Sequence, residues 1–278
     1  METLTLNFSP CPNDTFMFDA MVHQKIDTEG LSFDYHFADI EELNQRAFRN
    51  EPDITKISFH AFLYLTKNYI LLNSGSALGR NCGPLVIAKR NISLSDLMNC
   101  RVAIPGKFTT ANLLLTLANP QINDKPEIIF SDIEQAILDE KVDAGLIIHE
   151  SRFTYQTKGL KKVIDLGEWW EKTTSCPIPL GGIIAKRSLP KETLLKINRV
   201  MRKSVEYAFA HPESSRDFVK SHAQEMDEKV MQQHIQLYVN DFSVALGGEG
   251  KNAITILVQK AKDCGMIAGA VDDDLIVA

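Results

Sequence analysis

The sequence predicts an α/β protein of two lobes with a ligand cleft between them. Strands and helices alternate along the first ninety residues, which is typical of an α/β sheet. Two Gly-led apolar strands, 83–90 and 180–187, end in the same Ala-Lys-Arg, and we expect them to carry the chain between the lobes. Residues 91–180 contain strands and helices of their own, which indicates an inserted second lobe. Such a shape binds its ligand in the cleft and often closes on it by hinge motion.

The first strands and helices follow from local patterns. Leu4–Phe8 alternates polar and apolar side chains and ends at a turn, Ser9–Asp14, which opens a helix. Leu31–Phe37 places an apolar residue at every second position, as a half-buried strand does. Asp39 is a typical N-cap for the helix after it, with Glu42 at the capping-box position. The predicted elements are strands 4–8, 31–37 and 53–58 and helices 15–22, 40–49 and 60–65.

The rest of the chain shows the same kinds of signal. Apolar residues recur at helical spacing after the second Gly-led strand, and Pro212 ends that helix. Gly265 is a typical C′ residue for the last helix. We expect a large lobe of residues 1–90 and 181–278 and an inserted small lobe of residues 91–180. The predicted elements are strands 101–104, 127–130, 144–148 and 163–166 and helices 110–118, 133–140, 194–208, 230–239 and 253–264.

Composition and charge exclude several classes of protein. The chain has 278 residues, 44% hydrophobic and 24% charged, which indicates a folded globular protein and excludes disorder. No apolar run approaches the roughly 20 residues that a membrane-spanning helix needs. Thirty basic and 36 acidic residues give a net charge of −6, without the basic cluster that nucleic-acid binding requires. We therefore expect no membrane and no nucleic acid among its partners.

The cysteines and the first residues predict a cytoplasmic protein. The five cysteines are widely spaced and include no C-x-x-C pair, so neither a zinc ribbon nor a thioredoxin-like motif is present. The first eight residues lack the basic and the continuous apolar region of a secretion signal. We therefore expect the protein to remain in the reducing cytoplasm.

The segment Pro105–Asn112 is the first candidate for ligand binding. It follows a predicted strand and begins a helix, whose first N–H groups and positive dipole end attract an anion. Capping of the helix explains one of the two threonines, Thr109 and Thr110, but does not require both. We therefore expect Thr110 and the amide of Ala111 to bind a ligand carboxylate.

Histidines are the candidates for acid–base chemistry. His149 ends a predicted strand, where open α/β sheets bind their ligands, and an imidazole can act as a general base near neutral pH. A histidine in this position is also often a simple core or surface residue, and His60 likewise fits either the cleft or a helix start. The others, which have no metal-like spacing and lie on apparent surface helices or strand edges, are His23, His36, His211, His222 and His234. We expect no metal site.

Other strand ends are weaker candidates. Ser58 and the Ser9–Asp14 turn follow strands of the first lobe at equivalent positions, so both are expected at the cleft. The pair Trp169-Trp170 either stacks on an aromatic ligand or plugs the hinge region, and we favour the plug. No G-x-G-x-x-G, G-x-S-x-G or phosphate-loop lysine motif occurs. We therefore expect no nucleotide cofactor, no other cofactor and no serine-hydrolase triad.

Several of these motifs together resemble the 1,4-dihydroxy-6-naphthoate synthase family. Phe8–Phe16 resembles the N-terminal signature of the family, and residues 145–155, around His149, resemble a second specific stretch. Shorter matches, in the same order and at similar spacing, are 55–58, 75–80 and 180–182. The resemblance therefore covers nearly the whole chain.

The resemblance implies a fold and an activity. The family has a type II periplasmic-binding-protein-like fold, in agreement with the two lobes predicted above. The implied activity is that of a lyase in the futalosine route to menaquinone, which converts cyclic dehypoxanthinyl futalosine into 1,4-dihydroxy-6-naphthoate and releases dihydroxyacetone. The expected partner is thus a small-molecule carboxylate substrate. The sequence leaves the number of subunits open, a homodimer included.

The resemblance also implies which residues form the site. His149 matches the family's proposed proton acceptor. Phe108 stands where we expect a polar residue beside the ligand loop, although this departure leaves the backbone anion site intact. The positions that match substrate-binding segments are Lys56, Ile57 and Ser58 in one segment and Thr110 and Ala111 in the other.

The sequence disfavours three other interpretations. A solute-binding protein without catalysis would carry an export signal, which the sequence lacks. The chorismate-utilising dehydratase of the same pathway has the same shape, but the segment around His149 favours the synthase. The ligand-binding half of a transcription regulator would need a helix-turn-helix, for which the strand at residue 4 leaves no room.

Overall fold

The protein folds into two α/β lobes, each built on one sheet. The structure, a computed structural model, describes residues 2–149, 151–223, 227–267 and 274–277. Within these ranges no helix combines the length and the hydropathy that a membrane crossing requires.

The large lobe contains a six-stranded mixed sheet. Its strands are β1 (Glu2–Phe8), β2 (Leu31–Phe37), β3 (Ile54–Ser58), β4 (Tyr69–Leu71), β5 (Ala77–Gly79) and β10 (Ile178–Lys186). Strands β2, β1 and β3 are neighbours and parallel, and β10 lies antiparallel beside β3. Strands β4 and β5 pair with different halves of β10. The carboxyl ends of β1 and β3 therefore meet the amino-terminal half of β10 at one edge of the sheet.

The small lobe contains a four-stranded sheet in the order β7-β8-β6-β9. Its strands are β6 (Leu85–Ala88), β7 (Val102–Ala103), β8 (Ala144–Ile147) and β9 (Lys161–Asp165). Strands β7 and β8 are parallel, whereas β6 is antiparallel to both β8 and β9. The predicted strand over 127–130 is wrong: Glu127 forms a single bridge to Ile104, and the chain then turns into a 3-10 helix at Phe130.

Helices cover the sheets, and two of the predicted caps are confirmed. Asp39 Oδ1 accepts the N–H groups of Glu41 and Glu42 at 2.9 and 3.0 Å, and Gly265 follows the last helix with φ +75°. Glu42 pairs with Arg46 instead of closing the capping box. The helices are α1 (Pro12–Val22), α2 (Ile40–Phe48), α3 (Phe59–Phe62), α4 (Thr110–Ala118), α5 (Ile133–Leu138), α6 (Ser151–Thr154), α7 (Leu166–Thr174), α8 (Lys191–Ala210), α9 (Arg216–His222), α10 (Glu228–Tyr238), α11 (Asp241–Val244) and α12 (Gly247–Asp263).

The chain crosses between the sheets from β5 to β6 and again from β9 to β10. Among the described residues, β6 pairs only with β8 and β9, and β10 pairs only with strands of the large sheet. The hypothesis that these two Gly-led strands carry the chain across is therefore wrong. Strand β6 belongs to the small sheet, although the predicted boundary at residue 90 assigns it to the large lobe. The division into folding units of residues 1–90 with 181–278 and of residues 91–180 remains a prediction.

The two crossing segments contact each other through glycines. Gly83 and Gly167 approach so closely that a Cβ atom on either would overlap the backbone of the other. Arg152 joins the segments, because it donates to the carbonyl oxygens of Gly83 and Asn81 and, at 3.0 Å, to the carboxylate of Asp165. The glycine that begins the first repeated strand is thus explained by close backbone packing.

A hydrophobic core continues from one lobe into the other. Trp170 is fully buried in a cluster that includes Val86 of the small sheet and Ile184 of the large sheet. Its Nε1–H donates to the carbonyl oxygen of Pro177 at 3.1 Å. Neither Trp169 nor Trp170 lines the cleft as the structure describes it. This supports the interpretation that the pair plugs the hinge region by packing in its core, and not the one in which it stacks on a ligand.

Candidate active site

A cavity of about 1200 Å³, including the space open to solvent, lies in the cleft at the carboxyl ends of β1, β3, β7 and β8. This is the edge at which open α/β sheets bind ligands. The large lobe contributes residues 9–14, Asp39, Ile40, Lys56, Ser58, Ala77, Leu180, Gly181 and Tyr238 to its lining. The small lobe contributes Pro105, residues 109–111, residues 129–131, Ile148 and His149.

Strand β3 provides the polar floor of the cavity. Because side chains alternate along a strand, Lys56 and Ser58 share the face that lines the cavity. Ile57 faces the other way and is fully buried in the hydrophobic core, so the structure does not bring its side chain to the site. Of the three predicted residues on this strand, two lie at the cavity.

Ser58 has a hydroxyl proton available for a ligand. Its Oγ accepts a hydrogen bond from Asn44 Nδ2 at 3.2 Å, and its N–H donates to Asn44 Oδ1 at 3.0 Å. In the described ranges no acceptor takes the hydroxyl proton itself. Asn44 is fully buried, so it fixes Ser58 as a donor toward the cavity.

The turn at residues 9–14 holds the lysine of the floor. Lys56 Nζ donates to Asp14 Oδ1 at 2.7 Å, and Asn13 Nδ2 donates to the same oxygen at 2.8 Å. Ser9 donates to Asp14 Oδ2 through its hydroxyl at 2.7 Å and through its N–H at 3.2 Å. All four residues are buried. An ammonium group has three N–H bonds, so Lys56 can bind a ligand anion without leaving Asp14.

The N-terminus of α4 forms the opposite wall. Thr109 caps the helix by accepting the N–H of Asn112 at 3.3 Å. Thr110 donates its hydroxyl to the carbonyl oxygen of Leu180 on β10 at 2.6 Å and so bridges the lobes. Both Thr110 and Ala111 line the cavity. Their N–H groups belong to the first helical turn, where no carbonyl of the helix can accept them, so they can bind an anion.

Two carboxylates accept the N–H groups of the loop before α4, so these groups are not available to a ligand. The N–H of Lys107 donates to Glu127 Oε2 at 3.0 Å, and the N–H of Phe108 donates to Glu41 Oε2 at 3.3 Å. Burial raises the pKa of Glu41, and the nearby charge of Glu127 acts in the same direction. The Phe108 ring packs against Phe48, with centroids 4.6 Å apart. The backbone anion site is therefore reduced to the first turn of α4.

His149 lies beyond the end of β8 and is half-buried in the cavity wall. Its backbone has φ +59°, a left-handed conformation that few non-glycine residues adopt. Its N–H donates to the hydroxyl of Tyr238 at 3.2 Å, and its Nδ1 lies 3.4 Å from Nε2 of His234. The two imidazole rings stack with centroids 5.1 Å apart and an interplanar angle of 19°. Glu150, part of the motif around His149, lies outside the described residues.

His234 was expected on a surface helix, and the structure corrects this. Its side chain is fully buried and contacts His149 and Asn13. Met231, His234 and Tyr238 share the buried face of α10 at helical spacing. That spacing of a histidine and a tyrosine among buried positions is the sequence signal that could have identified them.

His60 does not belong to the cavity lining. It is buried behind α4, and its Nδ1 lies 3.2 Å from the carbonyl oxygen of Thr109. Burial lowers the pKa of His60 from 6.5 to about 4. The structure therefore favours a structural position for His60 over a place in the cleft.

Comparison with known proteins assigns the chain to a family. Residues 4–263 match the family model described as menaquinone biosynthesis. A 1,4-dihydroxy-6-naphthoate synthase of Thermus thermophilus is 43% identical over 268 residues, which cover 96% of this chain and 97% of the relative. A protein of the same name from Streptomyces coelicolor is 45% identical over 279 residues, covering 99% and 98%. The chain belongs to the 1,4-dihydroxy-6-naphthoate synthase family.

Solved structures confirm the predicted fold. A protein of Archaeoglobus fulgidus superposes with a TM-score of 0.90 at 38% identity, covering 95% of this chain and 98% of that one. The alkanesulfonate-binding protein SsuA of Xanthomonas axonopodis pv. citri superposes with a TM-score of 0.75 at 10% identity, covering 99% and 98%. The second likeness shows the periplasmic-binding-protein-like fold alone.

This member of the naphthoate synthase family is therefore an enzyme of menaquinone biosynthesis. Its cleft brings together five of the six predicted site residues, and Ile57 is the exception. Across the residues that the structure describes, no three His, Cys, Asp or Glu side chains come together as a metal site. The contacts that sequence reasoning missed are those of His234 and Tyr238.

Proposed function

We propose that the protein is a carbon–carbon lyase that converts cyclic dehypoxanthinyl futalosine into 1,4-dihydroxy-6-naphthoate with release of dihydroxyacetone. The names of the two relatives support the product. One structural observation carries the reaction type: a half-buried histidine faces the cavity from one lobe, and the Lys56–Asp14 ion pair and the Ser58 hydroxyl line it from the other. We propose that base catalysis by His149 drives the reaction without a cofactor.

The substrate carboxylate is bound by the floor and by α4. Lys56 supplies a positive charge, Ser58 supplies a hydroxyl donor, and the first turn of α4 supplies N–H groups. Hydrogen bonds to a charged group are the strong ones in proteins. These groups are buried, so little water competes with them for the carboxylate.

The reaction begins with proton abstraction by His149. Its imidazole accepts a proton bound to carbon, and the electron pair of that C–H bond then drives cleavage of a carbon–carbon bond. The three-carbon fragment takes the proton back from the imidazolium and leaves as dihydroxyacetone, which regenerates the neutral base. Aromatisation of the remaining ring system makes the step favourable. A positioned base of this kind contributes about 10²–10⁴-fold to the rate.

The remaining lining suits a planar ring system. Apolar side chains come from both lobes, namely Pro12 and Ile40 on one side and Ile129 and Phe130 on the other. Phe130 meets the ring of His149 edge-on, with centroids 5.6 Å apart. Closure of the lobes around the ligand excludes water from the base.

The test is an assay of the purified protein with cyclic dehypoxanthinyl futalosine. Chromatography should detect the naphthoate and dihydroxyacetone in equal amounts, without an added cofactor or metal. The variant His149→Asn keeps a polar side chain but lacks the base, so its turnover should fall at least about 10²-fold. The variant His60→Asn, outside the cavity, is the matched control.

The rival is a solute-binding protein of the same fold. Such a protein would bind the substrate and return it unchanged, and His149→Asn would alter affinity alone. Binding without product formation by the wild type would therefore overturn the proposed lyase activity. Near-normal turnover of a folded His149→Asn variant would leave the activity in place but remove His149 as its base.

A further inference from the structure

Glu41 lies behind the proposed carboxylate site and contacts both of its halves. It belongs to α2 of the large lobe and is not part of the cavity lining. Its Oε2 accepts the N–H of Phe108, in the loop that leads into α4, at 3.3 Å. The same oxygen lies 3.4 Å from Nδ2 of Asn44, and this Nδ2 also donates to Ser58 Oγ at 3.2 Å. One carboxylate therefore connects the floor of the cavity, on β3, with the wall formed by α4.

Asn44 transmits the contact from Glu41 to the hydroxyl of Ser58. The backbone N–H of Ser58 can only donate, so the oxygen of the Asn44 amide faces it, at 3.0 Å. The amide nitrogen then faces Glu41 and Ser58 Oγ, and it has one N–H group for each of them. Because Ser58 Oγ accepts one of these N–H groups, its own proton remains for the cavity.

Gly106 determines how closely the loop before α4 approaches Glu41. This glycine is buried, and a Cβ atom on it would overlap the Glu41 carboxylate. The backbone of the loop thus packs directly on the carboxylate that accepts the N–H of Phe108. The position of the first turn of α4 relative to the floor therefore depends on Glu41.

We propose that Glu41 is a positioning residue for the substrate carboxylate: it holds the first turn of α4 and, through Asn44, the hydroxyl of Ser58 in one geometry. This inference rests on the proposed function, in which these groups bind the carboxylate. A role of the Glu41 charge alone would have the opposite sign, because a negative charge near an anion site repels the ligand. Removing Glu41 should therefore weaken binding if it positions the site and strengthen binding if only its charge matters.

Two variants of Glu41 separate its position from its charge. Glu41→Ala removes the acceptor of the Phe108 N–H, and KM should rise about tenfold, which is equivalent to about 1.4 kcal/mol. Turnover should change little, because the lost interaction contributes equally to the bound substrate and to the transition state. Glu41→Gln keeps an oxygen that can accept this N–H, so it should keep most of the wild-type affinity.

Glu42→Ala, at the next position on α2, is the control for Glu41→Ala. It removes a carboxylate that pairs with Arg46 on the same helix and does not line the cavity. KM should therefore stay at the wild-type value in this variant.

Gly106→Ala tests the same contact from the other side. Its methyl group would displace the Glu41 carboxylate, so KM should rise here as well. In Glu41→Ala the space next to residue 106 is empty, and adding Gly106→Ala should then have little further effect. Such non-additivity is expected of two residues in direct contact. Independent effects that multiply in the double variant would contradict a shared mechanism.

Binding of 2-naphthoate measures the carboxylate site without the reaction. This probe carries a carboxylate on an unsubstituted naphthalene ring, and its fluorescence allows a direct titration. The dissociation constant should rise about tenfold in Glu41→Ala and in Gly106→Ala, as expected for KM, and should stay near the wild-type value in Glu41→Gln and Glu42→Ala.

Each outcome decides the inference. Equal or tighter binding of 2-naphthoate by a folded Glu41→Ala variant would overturn it, as would a Glu41→Gln variant that binds as weakly as Glu41→Ala. If Glu41→Ala does not fold, Glu41→Gln and Gly106→Ala decide. A wild type that forms no naphthoate but shows these binding differences would overturn the lyase activity and leave the inference in place. A wild type that does not bind 2-naphthoate would overturn the inference itself.

Discussion

Lys56 and Asp14 form an ion pair at the floor of the cleft, with 2.7 Å between Nζ and Oδ1 and side chains only 7% and 1% exposed. The two residues come from different elements, the strand β3 and the first turn of α1. Asp14 is further saturated by donors from Ser9 and Asn13. The pair therefore fixes a buried ammonium group at the point where we propose that the substrate carboxylate binds.

Removing the charge of Asp14 should destabilise the protein strongly. In Asp14→Asn the Lys56 ammonium stays buried without its counter-charge, and loss of one partner of a buried pair costs about 3–5 kcal/mol. The free energy of unfolding, measured in urea, should fall by that order. The control is Glu168→Gln, which breaks the exposed pair with Lys172 and should cost less than about 1 kcal/mol. Equal effects of the two variants would contradict this prediction.

The hydroxyl of Thr110 should contribute to substrate affinity indirectly, and to stability. Thr110→Val keeps the shape and the N–H groups of the first helical turn, but it removes the hydrogen bond to the carbonyl oxygen of Leu180 that joins the two walls of the cavity. A neutral hydrogen bond has a net worth of about 0.5–1.5 kcal/mol, so KM should rise about two- to tenfold. The unfolding free energy should also fall by about 1–3 kcal/mol, because a buried carbonyl loses its donor.

Thr116→Val, on the same helix but away from the cavity, is the control for this variant. Its hydroxyl donates to Asn112 within the helix, so KM should stay unchanged. Unchanged KM and turnover in Thr110→Val would remove Thr110 from the anchoring site.

His60 should make stability depend on pH between about 6.5 and 4. Burial lowers the pKa of His60 to about 4, so the unfolded chain binds a proton at a higher pH than the folded protein. The contribution of neutral His60 to the free energy of unfolding is thus fully present above pH 6.5. It is lost as the pH falls toward 4, and the total loss is about 3 kcal/mol. Unfolding free energies measured across this range should fall more steeply for the wild type than for His60→Gln.

The neighbouring variant Tyr64→Phe controls for packing around His60. Its ring lies 5.7 Å from the His60 ring, centroid to centroid, but it has no group that titrates in this range. It should shift the free energy of unfolding by a similar amount at every pH. A pH slope that survives in His60→Gln would refute the assignment to His60.

Gly83 should not tolerate a side chain. In Gly83→Ala the methyl group would overlap the backbone of Gly167 where the two crossing segments meet. Such overpacking typically costs about 1–3 kcal/mol of unfolding free energy. Gly248→Ala is the matched control, because its Cβ would contact nothing within 4 Å and the position lies on α12. Comparable stability of both alanine variants in guanidinium would show that the crossing segments can move apart.

Much of the fold could be predicted from the sequence because it depends on local patterns. Period-two alternation identified Leu31–Phe37, and a capping residue identified the start of α2 at Asp39. Strands β4 and β5 were missed, since three residues each are too short to show a period. The role of the repeated Gly-led strands was misjudged because similar sequences do not specify which sheet a strand joins.

The sequence by itself determined the α/β class, the family and the placement of His149 and Ser58 at strand ends. These features follow from periodicity, helix caps and motifs that lie within a few residues of one another. Only the tertiary structure decided the contact of Lys56 with Asp14, 42 positions away, and that of His149 with His234, 85 positions away. The first pair depends on how α1 packs beside β3 within the large lobe, and the second depends on how the two lobes meet, so no local pattern specifies either geometry. The floor is therefore predictable as a set of residues, whereas the partners that contact Lys56 and His149 come from the fold.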